Sequence, residues 1–304
     1  MTRFLVVRAT QALLTLLMVS LLVFALGRVS GNPAFTMLSM DATIEERQEF
    51  IRRMGLDRSL AHQYWMFLSR AALGDFGESL RARVPAIEVV VPRMINSLKL
   101  ATVTMVVTIV LSVPMGVLAA AKAGTIWDTL VRSVAVLGQS LPGFWLAIVG
   151  ILVFSVQLGW LPTSGMGTWQ HYVLPSAVLG LGISAGIVRL LRSSMLEVLE
   201  SEFVKHARAK GVSELAVVWK HALRNALIAV VTFAGFMYGL IIAMSIAVEV
   251  VFAWPGLGRL AFEAVTWRDF PVLQLTVLLW AALVILINFL TDLTYAVLDP
   301  RIRL

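Results

Sequence analysis

Apolar stretches separated by short polar segments run along most of this chain, and six of them approach the roughly 20 residues that a helix needs to cross a bilayer. The pattern predicts an all-α fold, a polytopic transmembrane bundle of six helices. Pro114 and Pro142 fall within or beside the second and third stretches, where we expect them to kink the helix rather than to end it. The six stretches are residues 12–26, 98–121, 134–158, 174–187 (extendable through Leu190), 227–248 and 272–298.

Residues 28–97, between the first two apolar stretches, carry the signals of folded helices rather than of a slack loop. A capping box and a following glycine predict one helix, a second cap and glycine predict another, and a proline opens a third. The segment would cap the pore mouth, form a docking surface or serve as a plain spacer. The residues concerned are Thr43, Glu46 and Gly55 for the first helix, Ser59 and Gly74 for the second, and Pro85 for the third.

The composition agrees with a membrane protein, since 59% of the residues are hydrophobic, 14% are charged and the mean hydropathy is +0.86. A soluble domain of this length carries about 25% charged residues. The chain has no cysteine, which excludes a disulfide framework, a thiolate metal site and a cysteine nucleophile. The net charge of +7 is typical of Lys and Arg at headgroups and cytoplasmic loops, so membrane lipid is an expected partner and nucleic acid is not.

The distribution of Lys and Arg predicts how the chain is oriented. Residues 159–173 contain neither, whereas residues 189–224 contain seven. The positive-inside rule therefore places 189–224 in the cytoplasm and, with six spans, both termini there as well. The long segment 28–97 then lies outside. The first apolar stretch, with Arg3 and Arg8 ahead of it, is predicted to be a retained anchor rather than a cleaved signal peptide.

Ionisable side chains are missing from the middles of spans two to five, and span six carries only Asp292, with Asn288 one turn earlier. We expect Asp292 at the cytoplasmic interface. Carriers driven by a proton or sodium gradient normally need carboxylates or broken helices at mid-membrane. The chain also has no GxxxxGK[ST] phosphate loop. If ATP drives transport, a partner hydrolyses it, and the chain itself is not an enzyme.

Two glycine patterns lie inside predicted spans. The string from Gly182 to Gly186, with Ser184 between them, matches the GxSxG of serine hydrolases. It lies in an apolar helix and all four histidines are in loops, so it does not predict a catalytic serine. The same residues have GxxxG spacing, repeated at Gly235 and Gly239, which predicts close helix packing in lipid.

A helix, a sharp turn and a second helix are predicted in the cytoplasmic stretch. Residues 202–210 suit a short helix, Gly211 is placed to end it in a left-handed conformation, and Ser213 can cap a second helix through Trp219 towards span five. The small residues would let a partner protein approach the backbone, and the basic residues around them would supply hydrogen-bond donors. This arrangement suits docking into a groove of the partner. An ordinary positive-inside loop explains the charges but not this spacing. The predicted coupling residues are Glu202, Phe203, Lys205, His206, Ala207, Arg208, Ala209, Lys210, Gly211 and Ser213.

Short motifs follow one another in a fixed order along nearly the whole chain. They are Gly55-Leu56-Asp57, Gly74-Asp75-Phe76-Gly77, Leu158-Gly159-Trp160-Leu161-Pro162, Ala207-Arg208-Ala209-Lys210-Gly211, His221-Ala222-Leu223-Arg224-Asn225-Ala226-Leu227, Trp254-Pro255-Gly256-Leu257-Gly258, Arg268-Asp269-Phe270-Pro271 and Asp299-Pro300-Arg301-Ile302-Arg303. Together they resemble the permeases of ABC importers in the dipeptide/oligopeptide/nickel family, and in particular the first (B-type) permease. The chain departs from the family pattern at Ala229, where Pro is usual, and at Gly31-Asn32-Pro33, where an acidic Gly-Asp-Pro is frequent.

The resemblance implies a type I ABC importer permease core (MetI-like) with spans two to six in residues 98–304, including the coupling loop 192–226. Residues 1–27 would form the cytoplasmic amino terminus and first transmembrane helix, and 28–97 an extracytoplasmic helical segment. Trp254, Pro255 and Gly256 would lie at the outer mouth. The expected location is the bacterial cytoplasmic (inner) membrane.

The resemblance also implies the partners. They are a second homologous permease, two ATP-binding subunits or domains that hold ATP and Mg²⁺, and an extracytoplasmic substrate-binding protein. No cofactor, catalytic residue or metal ligand is expected in this chain. Di- or oligopeptides are the expected cargo, with nickel, glutathione or another small solute as alternatives within the family. A secondary carrier or channel, and then an intramembrane enzyme, are the alternatives from other classes.

Overall fold

The computed structural model describes residues 2–29, 43–53, 55 and 57–298. Within these ranges the chain is helical, and an isolated bridge between Glu78 and Pro85 is the only β-type pairing. The helices are α1 (Thr2–Val29), α2 (Ile44–Arg53), α3 (Leu60–Ala72), α4 (Ala86–Ala121), α5 (Ile126–Ser140), α6 (Gly143–Gly150, continued by a π-helix Ile151–Gln157), α7 (Gln170–Leu199), α8 (Glu202–Ala209), α9 (Glu214–Ala216, continued by a π-helix Val217–Ala222), α10 (Leu223–Val251), α11 (Leu257–Thr266) and α12 (Phe270–Leu298).

Five of the six predicted spans are present as single helical stretches among the described residues. Five helical stretches are long and apolar enough to cross a membrane: Val6–Arg28, Ala86–Ala121, Gln170–Leu199, Glu214–Val251 and Phe270–Leu293. The bent pair of Ile126–Ser140 and Gly143–Gln157 brings the number to six if the two helices form one span.

Pro142 does not behave as predicted. The helix was expected to bend and continue, but α5 ends at Ser140, α6 begins at Gly143, and the axes of the pair differ by 99°. Leu141 is extended, with ψ of 138°, because a residue before proline is disfavoured in the α region. Pro142, the N-cap of α6, is extended as well, with ψ of 130°. Pro114, in contrast, lies inside α4, which continues past it as predicted.

The chain forms two compact units, and the first consists of residues 1–96 and 256–285. Its predicted helices are present. The capping box of α2 is formed, since the Thr43 N–H donates to Glu46 Oε2 at 2.8 Å and the Glu46 N–H to Thr43 Oγ1 at 3.2 Å. Ser59 caps α3 by accepting the His62 N–H. The helix after Pro85 is longer than predicted, because α4 continues to Ala121, so the proposed boundary at 97/98 falls inside one helix.

The core of the first unit joins the beginning of α4 to α11 and the first turns of α12. Its buried members are Ala86, Val90, Leu257, Leu260, Ala264, Val272 and Leu275. Asp269, in the turn between α11 and α12, is only 4% exposed. Its carboxylate accepts hydrogen bonds from Ser79 Oγ at 2.6 Å and from the Leu80 N–H at 3.2 Å. The turn therefore holds the loop that precedes α4.

In the second unit, residues 97–255 and 286–304, α7 packs against α5 and α10. Glycines provide the close approaches. A Cβ at Gly186 would come within 2.7 Å of Phe233, and one at Gly235 within 2.9 Å of Thr291. The prediction of helix packing is therefore confirmed at these glycines. At Gly182 an added Cβ would meet no atom of the described chain within 4 Å, so packing at this glycine within the chain is not observed.

A buried carboxylate lies near the end of α10. The apolar pattern placed the end of the fifth span at Val248, but the helix continues to Val251 and so includes Glu249, which is 0% exposed. Ser97 Oγ donates to Glu249 Oε1 at 2.6 Å, and Ser245 Oγ donates to the same oxygen at 3.0 Å. These hydroxyls provide part of the polar environment that a buried carboxylate requires.

The candidate coupling site

The predicted helix, turn and second helix are present between α8 and α10. Helix α8 ends in a Schellman motif, because the Gly211 N–H donates to the Arg208 carbonyl at 2.9 Å and the Val212 N–H to the Ala207 carbonyl at 3.2 Å. Gly211 has φ of +79°, a conformation that glycine adopts without steric cost. Ser213 Oγ then caps α9 by accepting the Ala216 N–H at 3.4 Å.

Arg208 closes the turn from within the chain. Its Nε donates to Glu214 Oε1 at 2.7 Å and its Nη2 to Glu214 Oε2 at 3.2 Å, while Nη1 reaches the Leu199 carbonyl at 3.4 Å. The hydrogen bond to the Glu214 carboxylate raises the pKa of Arg208. This guanidinium is therefore committed to the turn, whereas the sequence had led us to expect its donors to face a partner.

The other basic residues of α8 also have local contacts. Lys205 Nζ donates to Glu202 Oε1 at 2.7 Å, and the Nδ1 of His206 lies 3.0 Å from the Glu202 carbonyl oxygen. Ala209 and Lys210 are exposed, and Ala207 is half-buried. The last turn of α8 thus carries small side chains at the surface of the chain.

Apolar side chains hold this element to the chain on one side and are exposed on the other. Val204 and Val217 are fully buried. Phe203, Leu215 and Trp219 remain 47%, 76% and 47% exposed. Of these three, sequence reasoning selected only Phe203. A signal for the other two was available, because both are large apolar residues on a predicted cytoplasmic helix beside residues selected for docking.

The sequence analysis did not predict a charged cluster near the carboxyl-terminal end of α7. Asp128 is 1% exposed and accepts from Arg192 Nε at 2.8 Å and Arg192 Nη2 at 2.7 Å. Arg132 Nε lies 2.9 Å from the same carboxylate, and the Gly124 N–H donates to it at 3.1 Å. The cluster ties α5 to the part of α7 that leads into the predicted coupling element, residues 202–222.

The residues predicted for the outer mouth lie beyond the other end of α10. The helix has 29 residues, a length of about 43 Å at 1.5 Å per residue, so the two predicted sites are far apart. Trp254 is fully buried, with its ring 4.7 Å from that of Tyr172 in an edge-on arrangement. Gly256 is buried and Pro255 half-buried. The Trp254 ring is therefore a packing group rather than an exposed contact surface.

No group of three or more His, Cys, Asp or Glu side chains among the described residues is arranged to hold a metal ion. Ser184 Oγ donates to the Leu181 carbonyl of its own helix at 2.9 Å.

Comparison with known protein families identifies the chain. Residues 112–304 match the family of binding-protein-dependent transport system inner membrane components, and residues 1–89 match the amino-terminal domain of such membrane components. The chain belongs to this family. Its residues 202–213, with the Schellman turn, lie within the matched region.

Relatives and solved structures agree with this assignment. The chain is 41% identical over 304 residues to the glutathione transport system permease protein GsiC of Escherichia coli (strain K12) and to that of Shigella dysenteriae serotype 1 (strain Sd197), covering 100% of this chain and 99% of each relative. In fold it is similar to the inward-facing MetNI methionine ABC transporter, with TM-score 0.58, 22% identity and coverage of 70% of this chain and 97% of that one. A crystal structure of an amino acid ABC transporter with histidines gives TM-score 0.53 at 15% identity, with coverage of 75% and 96%.

The chain is therefore a permease subunit of an ABC importer, as its motifs predicted. It is a transport component and not itself catalytic, and it is a multi-pass protein of the inner membrane. The similarity to MetNI confirms the predicted MetI-like fold. The motif Asp299-Pro300-Arg301-Ile302-Arg303, Leu56 and the departure at Gly31-Asn32-Pro33 lie outside the described residues.

Proposed function

We propose that this chain is one of two homologous permease subunits of an importer for short peptides, with glutathione as the first candidate cargo. Two observations support this substrate class. The motifs are those of a family whose expected cargo is di- or oligopeptides, and relatives that are 41% identical over the whole chain are glutathione permeases. Glutathione is itself a tripeptide, so both observations favour the same chemical class over nickel.

In this proposal the importer contains two ATP-binding subunits or domains, which hold ATP and Mg²⁺, and an external binding protein that delivers the cargo. Residues 189–224 and both termini face the cytoplasm, where the ATP-binding partners lie. The segment 254–256 stays near the outer mouth and acts through the loop that it shapes, since its Trp254 ring is buried. The chain has no phosphate loop of its own.

The observation that carries the proposed mechanism is the continuous helical connection between the coupling element and a span. The Schellman turn and the bidentate Arg208–Glu214 pair close the element. From Glu214 the chain then continues without a break to Val251. A displacement of α8 by a closing ATPase dimer would therefore move α10 rather than be absorbed by a flexible loop.

Substitution of Gly211 tests this mechanism. Gly211→Pro fixes φ near −65°, far from the observed +79°, and removes the N–H that bonds to the Arg208 carbonyl. We expect membrane insertion to be intact and ATP-dependent uptake to be abolished, as measured with radiolabelled cargo and a membrane immunoblot. Gly211→Asn is the control, because asparagine tolerates the left-handed region. Normal uptake by the proline variant would contradict the coupling role.

Native mass spectrometry of the gently purified, tagged chain tests the partners. A second permease and two ATP-binding subunits in one assembly are expected. Uptake of radiolabelled glutathione, dialanine and Ni²⁺ by cells that produce the importer tests the cargo. Uptake of nickel alone would overturn the peptide assignment while leaving the importer intact. A lone protomer that transports in liposomes without ATP would instead support the secondary carrier or channel.

A further inference from the structure

A cavity of about 460 Å³ lies within the first unit, and its residues have no role in the coupling mechanism. Its walls are the last turn of α1, helix α3, the loop 74–85 and the first turn of α12. The volume falls in the range of small-molecule sites, roughly 300–1,000 Å³. We propose that this cavity binds the phosphodiester group of a membrane phospholipid.

Three arginines from three separate elements line the cavity. They are Arg28 at the end of α1, Arg70 in the last turn of α3, and Arg83 in the loop. Within the described part of the chain, none of the three guanidinium groups forms an ion pair or hydrogen bond with another side chain, although Arg28 lies 5.2 Å from the Phe24 ring centroid. Guanidinium groups present several N–H donors in a geometry that matches phosphate oxygens. Their donors are therefore available for an oxyanion.

The charge balance of the lining favours a phosphodiester. Asp75 and Glu78 also line the cavity, so three positive and two negative side chains leave a net charge of +1. The Asp75 carboxylate faces its own turn, since Oδ1 accepts the Gly77 N–H at 3.0 Å. A phosphodiester carries one negative charge and matches this balance. In a zwitterionic lipid, the headgroup amine would meet Glu78.

The apolar part of the lining and the adjoining helix surface favour a lipid as the source of that phosphate. Four phenylalanine rings line the cavity, those of Phe24, Phe67, Phe76 and Phe270. In the two turns before Arg28, α1 exposes Leu21, Leu22 and Leu26 by 52%, 59% and 60%. Because α1 is apolar enough to cross a membrane from Val6 to Arg28, Arg28 lies at the level of the headgroups. Acyl chains would then lie along the exposed leucines.

Hydrogen bonds between elements of the first unit hold the walls of the cavity in place. Ser20 Oγ lies 2.8 Å from Tyr64 Oη, which fixes α3 against α1. On the opposite wall, the Ser79 hydroxyl is held by Asp269 at 2.6 Å. The cavity is therefore formed before a ligand arrives, which lowers the entropic cost of binding.

The test is native mass spectrometry of the full chain with whatever subunits stay bound, delipidated and titrated with dioleoylphosphatidylglycerol. We expect a saturable lipid adduct. The double variant Arg70→Gln/Arg83→Gln should bind about 30-fold more weakly, because each basic residue near a phospholipid surface contributes a factor of about five. Both arginines are exposed, so the melting temperature should not change. The matched control is Arg52→Gln/Arg58→Gln, two exposed arginines outside the cavity, which should bind like the wild type.

Two further ligands identify what is recognised. Dioleoylglycerol has the same acyl chains without phosphate and should not bind at the saturable site. Inorganic phosphate in millimolar excess should not displace the lipid. Equal binding of dioleoylglycerol, displacement by inorganic phosphate, or equal affinity of the Arg70/Arg83 variant and its control would each overturn the proposal.

Discussion

Glu249 is the only acidic residue of α10, Leu223–Val251. It is fully buried near the end of α10, and hydroxyl groups from Ser97 and Ser245 donate to its carboxylate. Its backbone carbonyl accepts the N–H of Trp254 at 2.8 Å, which ends the helix and begins the loop that leads to Pro255. Glu249 thus links the beginning of the second unit, at Ser97, to the turn that follows the fifth span.

Substitutions at Glu249 should separate the effect of hydrogen bonding from that of volume. Glu249→Ala leaves two buried hydroxyls without this acceptor, and we expect the melting temperature of the purified protein to fall by roughly 5–10 °C. Glu249→Gln keeps an acceptor oxygen and should lose less than half of that. Glu200→Ala, at an exposed glutamate, is the control and should have no effect. An equal loss for the Ala and Gln variants would contradict the hydrogen-bonding role.

At the scale of elements, the predicted coupling helix α8 and the turn after it are held together by backbone hydrogen bonds and by the Arg208–Glu214 ion pair. The Arg208–Glu214 pair is exposed, with 41% and 66% of the side-chain surface accessible. Exposed pairs of this kind contribute about 0–1 kcal/mol to stability. We therefore propose that the pair keeps the turn in one geometry and contributes little to the stability of the fold.

This role can be distinguished from direct contact with a partner. If Arg208 acts through the turn, Arg208→Ala and Glu214→Ala should lower ATP-dependent uptake to the same extent, with no change in melting temperature. The swap Arg208→Glu/Glu214→Arg should restore part of the uptake because it re-forms the pair. A loss confined to Arg208→Ala, without rescue by the swap, would show that Arg208 contacts the ATPase itself.

Helix packing in the second unit depends on glycines at particular positions. A Cβ at Gly116 in α4 would come within 2.9–3.1 Å of three side-chain atoms of Leu191, which is fully buried. We expect Gly116→Ala to destabilise the chain by about 1–3 kcal/mol through overpacking. Gly182→Ala is the control, since it has open space and gains helix propensity. In a thermal melt, the melting temperature should fall for Gly116→Ala and should stay the same or rise for Gly182→Ala. Equal shifts for the two variants would contradict the packing role of Gly116.

At the scale of the whole molecule, the orientation in the membrane can be measured by labelling single cysteines introduced into this chain. The chain has no cysteine, so a single introduced cysteine is the only thiol. A membrane-impermeant maleimide should label Ser69→Cys, on the exposed surface of α3, in intact cells. It should label Ser213→Cys only after permeabilisation. The reverse pattern would contradict the proposed orientation and the cytoplasmic position of the coupling loop.

Sequence alone determined the apolar spans, the capping box of Thr43 and Glu46, the turn at Gly211 and the family. These features depend on local properties: the length of an apolar run, a cap three residues from its partner, or a glycine where φ must be positive. The break at Pro142 was missed because a proline within an apolar stretch can either kink or end a helix, and the packing around it decides between them.

Tertiary structure decided which polar side chains meet. Arg192 and Asp128 are 64 residues apart, Ser97 and Glu249 are 152 apart, and Ser79 and Asp269 are 190 apart. A buried polar group needs partners, but the local pattern holds no information about which distant residue supplies them. The same holds for the arginine-lined cavity, whose three guanidinium groups come from separate elements. Only folding brings them to one place, because each contact depends on how the helices pack.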